Sequence, residues 1–346
     1  MLIWIPLLIT ACSPTDDGGS AGPADTPTAD STLSGTGDSG EVGSSALPDV
    51  VALVDQEAYA HDLEAFAVDR PPGTANHADL RATCAERLGA LGYEVTLHDY
   101  GTGVNVLGHL PGSSNADGAV VLSAHYDSVA ACSGADDNAS GVAATLEAAR
   151  VLAEGDWTND LWVACWDEEE RGLLGAEAWA AEARSLGANI QIAVSFETLA
   201  YRSAEADSQS LPLGFELLFP EATAEVEARD YTGDFIAWIG DEGSSQAHYA
   251  TFEAQAEADG LPALAMHVPD EDLLAFWTAD LRRSDHAAFW AQGYPAVMIT
   301  DTAEFRNDAY HCRNGLDDSV DRLDPAFATQ VVRASVAMAA GALGTE

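Results

Sequence analysis

A histidine and three aspartates are concentrated in the stretch SAHYDSVAACSGADDNASGVAA, residues 123–144. They are His125, Asp127, Asp136 and Asp137, and the pattern predicts the end of a strand, a loop and the start of a helix. Partly buried carboxylates that lie beside one another are costly without a countercharge. The stretch therefore leaves two interpretations: water solvates the loop, or a cation binds there.

Further acids and a second histidine occur where other predicted strands end. Glu168, Glu169 and Glu170 follow an apolar strand, Glu197 lies near the end of another, and His311 follows the loop after a fourth. Sites in open α/β sheets form at the carboxyl ends of strands, so these side chains should converge. Two imidazoles and several carboxylates suit a pair of zinc-like cations, and adjacent glutamates could supply one ligand and one general base. A solvated charge run is the alternative for DEEE, but its position directly after an apolar strand favours the sheet edge.

The elements that must position these residues alternate as in an α/β protein. Strands are predicted at 93–100, 103–112, 119–127, 160–169, 188–201, 261–268 and 294–301. Helices are predicted at 55–69, 77–91, 140–154, 175–185, 284–293 and 324–343, with a loop at 202–212. The alternation predicts a mostly parallel, mixed central sheet sandwiched by helices.

The charge composition excludes some functions. The 346 residues include 57 acids and 14 basic residues, giving a net charge of -43, and every basic residue is an arginine. Without lysine there is no Walker A lysine and no Schiff-base lysine. Nucleic acid is not expected as a partner, because phosphate binding needs clustered cations. The surplus acids indicate an acidic, well-solvated surface.

The N-terminal residues predict export. MLIWIPLLIT is too short to span a bilayer, and small residues precede Cys12, as in a bacterial lipoprotein signal. We therefore predict a signal at 1–11, lipidation of Cys12, a disordered acidic tether of Ser, Thr, Gly and Pro at 12–47, and a single folded domain at 48–346. The segment lacks a basic n-region, which leaves ordinary secretion or a misassigned start as alternatives. The expected state is a monomer at a bacterial outer membrane or cell surface, touching the membrane only through this anchor.

Four cysteines remain if Cys12 is lipidated, and their spacing matches no zinc ribbon. Cys165 lies in an apolar strand and is expected to be buried. Cys132 and Cys312 each lie close to a candidate ligand, and an exported protein permits a disulfide between them. The residues alone leave both the bonded and the free state open.

An ordered set of motifs resembles one family of enzymes. The set consists of HYD, GADDNASG, EERGLLG, FETLAY, GDFIAWIG, SDHAAFWAQGYPAVMITDTAEFRN and YH. In this order they are similar to the di-zinc aminopeptidases, a family that includes secreted bacterial leucyl-type aminopeptidases and has glutamate carboxypeptidase and glutaminyl cyclase as relatives. The resemblance runs from about residue 85 to the C-terminus. It implies a zinc-exopeptidase fold of the phosphorylase/hydrolase-like type, two Zn²⁺ ions, and peptide substrates with a free N-terminus.

The resemblance also implies roles for individual residues. His125 and Glu197 would bind one zinc, and Glu170 and His311 the other, with Asp136 bridging both. Glu169 would be the general base, and Tyr310 would help to polarise the scissile carbonyl. Asp127 would orient the ring of His125, and His286 is a candidate for a similar supporting role. The Asp136–Asp137 peptide is the candidate for the cis form found in the family.

Two departures from the family pattern affect the prediction. Glu197 stands where many members have aspartate, and the longer loop after His311 leaves open whether Asp317 or Asp318 supports it. Rival functions are a carboxypeptidase or a glutaminyl cyclase with the same fold, and a non-catalytic surface binding module. A cation cluster for the substrate carboxylate would favour the carboxypeptidase, and the sparse arginines leave that open. Residues 201–260 are expected to contribute to the pocket for the cleaved residue.

Overall fold

A mixed eight-stranded sheet forms the centre of the structure, a computed structural model that describes residues 50–345. Its strands are β1 (Glu94–Asp99), β2 (Val104–Leu110), β3 (Ala119–His125), β4 (Leu161–Trp166), β5 (Ile190–Glu197), β6 (Ile236–Asp241), β7 (Ala263–Val268) and β8 (Ala296–Thr300). The strand order across the sheet is β1-β2-β4-β3-β5-β8-β6-β7. The predicted signal, Cys12 and the tether lie outside the described residues.

The four central strands β4, β3, β5 and β8 run parallel to one another. The hairpin of β1 and β2 adds an antiparallel edge, and β6 pairs antiparallel with β8 while β7 pairs parallel with β6. Every residue of β3 is buried, as expected for a strand that has helices on both faces of the sheet. The predicted mixed α/β sheet is confirmed, and the parallel strands direct their carboxyl ends to one edge.

Helices cover both faces of the sheet. They are α1 (Gln56–Phe66), α2 (Ala75–Ala90), α3 (Gly141–Leu152), α4 (Leu174–Ser185), α5 (Phe215–Leu218), α6 (Pro220–Ala228), α7 (Ser245–Asp259), α8 (His286–Ala291) and α9 (Pro325–Leu343). Helices α1, α2, α3, α7 and α9 share one apolar core with the sheet, whereas α4, α5, α6 and α8 pack into a second.

Helix α9 is apolar enough, and long enough, to cross a membrane by composition alone. It instead packs against α3 and α7, and most of its apolar stretch is buried. Its start follows from local chemistry: the Asp324 carboxylate accepts hydrogen bonds from the amides of Ala326 and Phe327, and Pro325 occupies the first helical position. The helix is therefore a core element of this fold.

Four of these elements were not predicted from the sequence: β6, α5, α6 and α7. The apolar run of β6 is short, and periodicity alone does not distinguish such a run from a buried helical segment. Helix α7 buries only Ser245, Tyr249, Phe252 and Ala256, so its apolar face is narrow and its helical pattern is weak. Strand β6 and helix α7 acquire their positions through tertiary packing.

Candidate active site

The candidate ligands converge at the carboxyl ends of the parallel strands. His125 is the last residue of β3, Glu169 and Glu170 follow β4, and Glu197 is the last residue of β5. His311 arrives from the long irregular connection between β8 and α9. The parallel sheet thus brings together residues that lie far apart in sequence.

Asp137 lies between the two histidines. Its Oδ1 is 3.2 Å from Nε2 of His125, and its Oδ2 is 2.9 Å from Nε2 of His311. Glu197 Oε2 lies 3.4 Å from the same nitrogen of His125, and Glu170 Oε2 lies 3.2 Å from that of His311. Two histidine–glutamate pairs therefore share one carboxylate.

The prediction that Asp136 is the shared carboxylate is wrong. Asp136 is buried on the other side of the chain, where Oδ1 accepts a hydrogen bond from the Ala200 amide at 3.0 Å and Oδ2 accepts one from Asn307 at 3.1 Å. Successive side chains point in different directions, so only one of the two aspartates can face the histidines. The cis peptide also lies one residue later than expected, between Asp137 and Asn138.

Asp127 fixes the turn that carries the two glutamates. Its carboxylate accepts hydrogen bonds from the amides of Glu169 at 3.1 Å and Glu170 at 3.3 Å. Glu168, just before them, has a φ of 57°, which turns the chain sharply after β4. Asp127 also lies 3.4 Å from Nδ1 of His125, but the two groups are not aligned as a hydrogen bond. The hydrogen bond predicted between Asp127 and the His125 ring is therefore not formed in the structure, and Asp127 instead holds the amides of Glu169 and Glu170.

Asp318 performs a comparable task for the bridging residue. Its carboxylate accepts hydrogen bonds from the amides of Asp136, at 3.1 and 3.2 Å, and of Asp137, at 3.0 Å. Among the described residues, neither Asp317 nor Asp318 hydrogen-bonds the imidazole of His311. The loop after His311 thus supports the site by holding the main-chain amides of Asp136 and Asp137.

The structure joins Cys132 to Cys312 with an S–S distance of 2.08 Å. Cys312 directly follows His311, and Cys132 lies in the loop that leads to Asp137. Cys165 is buried and free, as expected for its strand.

The charges of the site perturb its titration strongly. Burial acts against a charged imidazole, yet the charge of Glu169 and contacts with Asp127, Asp137 and Glu197 raise the pKa of His125 well above its usual value. For His311, contacts with Asp137 and Glu170 likewise outweigh burial and raise the pKa to about 10. A nest of carboxylates that retains protons on both imidazoles is one that attracts positive charge.

Glu169 has the environment of a proton acceptor. Its carboxylate oxygen lies 4.0 Å from Nε2 of His125, farther than the oxygens of Asp137 and Glu197. Burial, together with the charges of Glu197 and Asp285, raises the pKa of Glu169 well above its usual value. A carboxylate with a raised pKa takes up a proton more readily near neutral pH.

Two polar residues of the site were missed by sequence reasoning. Ser284 donates a hydrogen bond of 2.8 Å to Oε2 of Glu197. Asp285 is buried, and within the described chain neither of its oxygens has a hydrogen-bond partner. Both belong to the motif SDH, in which the sequence marks only His286 as a candidate.

The supporting role predicted for His286 is wrong. Its Nε2 donates to the carbonyl of Leu281 at 2.8 Å, and its ring lies edge-on against Trp290, 4.5 Å between centroids. These contacts turn it into the second apolar core, away from the candidate ligands.

An apolar cavity, open on one side to solvent, lies beside the site. Glu197 and Tyr310 line its border with the ligands. Its apolar lining includes Leu211, Phe215, Phe235, Ile239, Met266 and Met298. Four of these six side chains come from residues 201–260.

Tyr310 is buried and stacks on His311, 4.0 Å between ring centroids. Burial and the charges of Asp137, Glu197 and Glu169 raise its pKa above the usual value. The hydroxyl is thus held protonated and able to donate a hydrogen bond.

The donor set fits divalent cations of the zinc type. His125 and Asp137 contribute buried atoms, Nε2 and Oδ2, that have no aligned hydrogen-bond partner in residues 50–345. Leaving such atoms unsatisfied is costly, and cations bound beside each histidine would satisfy both. Imidazole and carboxylate ligands together suit zinc.

A model of peptidase family M28 matches residues 105–339. The chain therefore belongs to this family of peptidases, and the predicted family membership is confirmed.

Individual relatives are similar to parts of the chain. Over 229 residues it is 31% identical to YfbL of Escherichia coli, an alignment that covers 63% of this chain and 65% of YfbL. It is 24% identical over 210 residues to a "probable zinc metalloprotease" of Leptosphaeria maculans, covering 58% of this chain and 47% of that protein. The chain thus matches less than two thirds of the length of these relatives.

A solved structure shows the same fold. The LapA aminopeptidase of Legionella pneumophila superposes with a TM-score of 0.67 at 16% identity, covering 87% of this chain and 75% of that one.

Proposed function

We propose that this protein is an aminopeptidase that uses two zinc ions to hydrolyse the first peptide bond of its substrates. The observation that carries the proposal is the position of Asp137, whose two oxygens face the imidazoles of two separate ligand groups. One ion would be held by His125, Glu197 and Asp137, and the other by His311, Glu170 and Asp137. The names of the zinc metalloprotease and of the LapA aminopeptidase among its relatives support both the metal and the activity.

The residues around the ions would carry the proton transfers. Bound zinc would acidify water and polarise the scissile carbonyl. Glu169 would accept the proton of the attacking water and return it to the leaving amine, and its raised pKa suits both steps. The protonated hydroxyl of Tyr310 would donate a hydrogen bond to the developing oxyanion.

The charge of the site favours a free N-terminus over a free C-terminus. Buried carboxylates surround the candidate ions, and a substrate ammonium group would be attracted to them. Arg283, the basic residue of the cavity lining, is already paired with Glu304. Arg306 donates to Gln209 through Nε and to main-chain carbonyls through Nη1, and its unpaired Nη2 is buried away from the surface.

The apolar cavity supports a preference for large apolar residues at the N-terminus. It adjoins Glu197, so a side chain next to the cleaved bond could enter it while the ammonium group remains near the acids. Burial of such a side chain would contribute about 1.5–3 kcal/mol to binding of the reacting complex.

The test is a panel of aminoacyl chromogenic amides with N-acetylated controls. Activity should be abolished by chelation, restored by two equivalents of zinc, and confined to substrates with a free amine. Glu169→Gln should retain both ions and lose a factor of roughly 10²–10⁴ in turnover. Hydrolysis that survives complete metal removal, or equal cleavage of the N-acetylated controls, would refute the proposal. Release of cyclised N-terminal glutamine instead of hydrolysis would favour the cyclase.

We also propose export with a lipid anchor at Cys12. Support comes from the apolar residues and small residues before Cys12, and from a disulfide, which suits an oxidising compartment. The full chain expressed in a bacterium should fractionate with membranes, and Cys12→Ala should release it. Identical membrane association of both forms would contradict the anchor.

A further inference from the structure

The segment that carries His311 is less regular than the strand that carries His125. His125 ends β3, whose backbone is paired with β4 and β5 on either side. His311 lies in an irregular connection, and its side chain is 25% exposed against 1% for His125. Its position is therefore not fixed by the sheet.

The backbone around His311 adopts an unfavourable conformation. His311, Cys312 and Asn314 have φ values of 56°, 54° and 59°, in the left-handed region that residues with a Cβ atom avoid. Such a conformation persists only where surrounding contacts hold it. The contacts of this segment therefore decide where the imidazole lies.

The contacts lead to the loop before the bridging aspartate. Cys312 is bonded to Cys132, and Ser133 donates a hydrogen bond of 2.8 Å to Asp317. The amide of Asp318 approaches Sγ of Cys312 at 3.3 Å. The carboxylate of Asp318 in turn accepts hydrogen bonds from the amides of Asp136 and Asp137. Among these contacts between the His311 segment and the loop before Asp137, the disulfide is the covalent one.

We propose that the Cys132–Cys312 disulfide is a positioning element for His311 and hence for one of the two zinc ions, the one assigned to Asp137, Glu170 and His311. The inference rests on the proposed function, because it requires a site for two ions. The other ion would be insensitive to the bond, since His125 and Glu197 are held by β3 and β5, and the residue after the shared Asp137, Asn138, donates to the Phe196 carbonyl of β5 at 2.8 Å. The expected signature is a selective loss, in which one ion is weakened and the other is not.

The experiment is a calorimetric zinc titration of the purified, chelator-treated chain and of the double variant Cys132→Ser/Cys312→Ser. The unaltered chain should bind two equivalents. In the double variant, the first equivalent should bind with unchanged affinity, and the dissociation constant of the second should rise at least tenfold. A merely structural crosslink would lower thermal stability without separating the two ions.

Cys84→Ala supplies the matched control, because Cys84 is buried in the core and takes no part in the disulfide. This variant should be less stable and should still bind both ions as the unaltered chain does. If the double variant does not fold, the folded unaltered chain is reduced with a phosphine, alkylated at the two cysteines, freed of reagent and titrated.

The outcomes separate the two proposals. An unaltered chain that binds fewer than two zinc ions would refute the proposed function. If it binds two, and the open form binds both unchanged or both equally weakened, the function stands and the positioning role is overturned. The role is likewise overturned if neither open form remains folded, because the bond would then support the whole domain.

Discussion

Neighbouring aspartates give the most direct test of the site. In the sequence Asp136 and Asp137 are equivalent candidates, whereas in the structure only Asp137 faces the histidines. The variants Asp137→Asn and Asp136→Asn remove the same charge one residue apart. They form a matched pair in which side-chain size is nearly conserved and one acceptor oxygen becomes an NH2 donor.

The expected magnitudes differ widely. Altering a residue that only orients a ligand costs roughly 10–100-fold in metal affinity, so loss of a carboxylate shared by two sites should cost at least about 100-fold at each. That factor corresponds to about 2.8 kcal/mol per site. Without both ions in place, kcat/KM for a leucyl amide should fall by about 10³ or more.

Asp136→Asn should have a much smaller effect. Burial and the charge of Asp301 raise the pKa of Asp136 well above its usual value, so an uncharged amide resembles its protonated form. The cost is about one hydrogen bond to Asn307, on the order of 1 kcal/mol of stability. Zinc affinity should stay within about threefold of the unaltered chain, which is under 1 kcal/mol.

The assay combines zinc titration with kcat/KM on a leucyl chromogenic amide, and urea unfolding reports the stability of each variant. Loss of both ions in Asp136→Asn, with retention in Asp137→Asn, would show that the geometric assignment is inverted. Equal effects in both variants would show that the pair acts only through charge.

Three further predictions concern residues outside the ligand set. The buried guanidinium of Arg70 donates to five main-chain carbonyls beside the acids of the site. Arg70→Met should therefore lower the free energy of unfolding in urea by about 3–5 kcal/mol, and by more with chelator than with zinc. Equal losses of stability under the two conditions would contradict a countercharge role. Burial lowers the pKa of His286 to about 4, so its neutral form contributes about 3 kcal/mol of stability that is present above pH 6.5 and lost as the pH falls towards 4. When unfolding is measured in chelator, His286→Gln should lack this pH dependence. Parallel pH profiles of the two proteins would exclude it. Met298→Trp should fill the apolar cavity and lower kcat/KM at least about tenfold for leucyl and phenylalanyl amides, while changing kcat/KM for alanyl amides less than about threefold. A proportional loss on all three substrates would show that the cavity does not determine specificity.

Much of the fold could be read from hydrophobic patterning. The predicted strand at 119–127 corresponds to β3, and the predicted helix at 324–343 corresponds to α9 within one residue. Long apolar segments bounded by polar turns carry a strong local signal. The signal was absent where burial is partial, as in α7, and ambiguous where the run is short, as in β6.

By itself, the sequence determined the chemistry available to the site. It supplied two histidines and several acids at successive strand ends, arginine as its one type of strong cation, and a cysteine beside His311 with another ahead of the bridge. The convergence followed from parallel strands, because the alternation of elements already specifies which ends meet.

Only the tertiary structure decided which of two identical neighbours bridges the histidines, that His286 turns into the core, and that an apolar cavity adjoins Glu197. The physical reason is that adjacent side chains diverge, so direction depends on a backbone fixed by distant contacts. Asp318 illustrates this dependence, since it holds the amides of Asp136 and Asp137 from more than 180 residues away in sequence. Residue types are local properties of the chain, whereas their orientation is set by the packing of the whole fold.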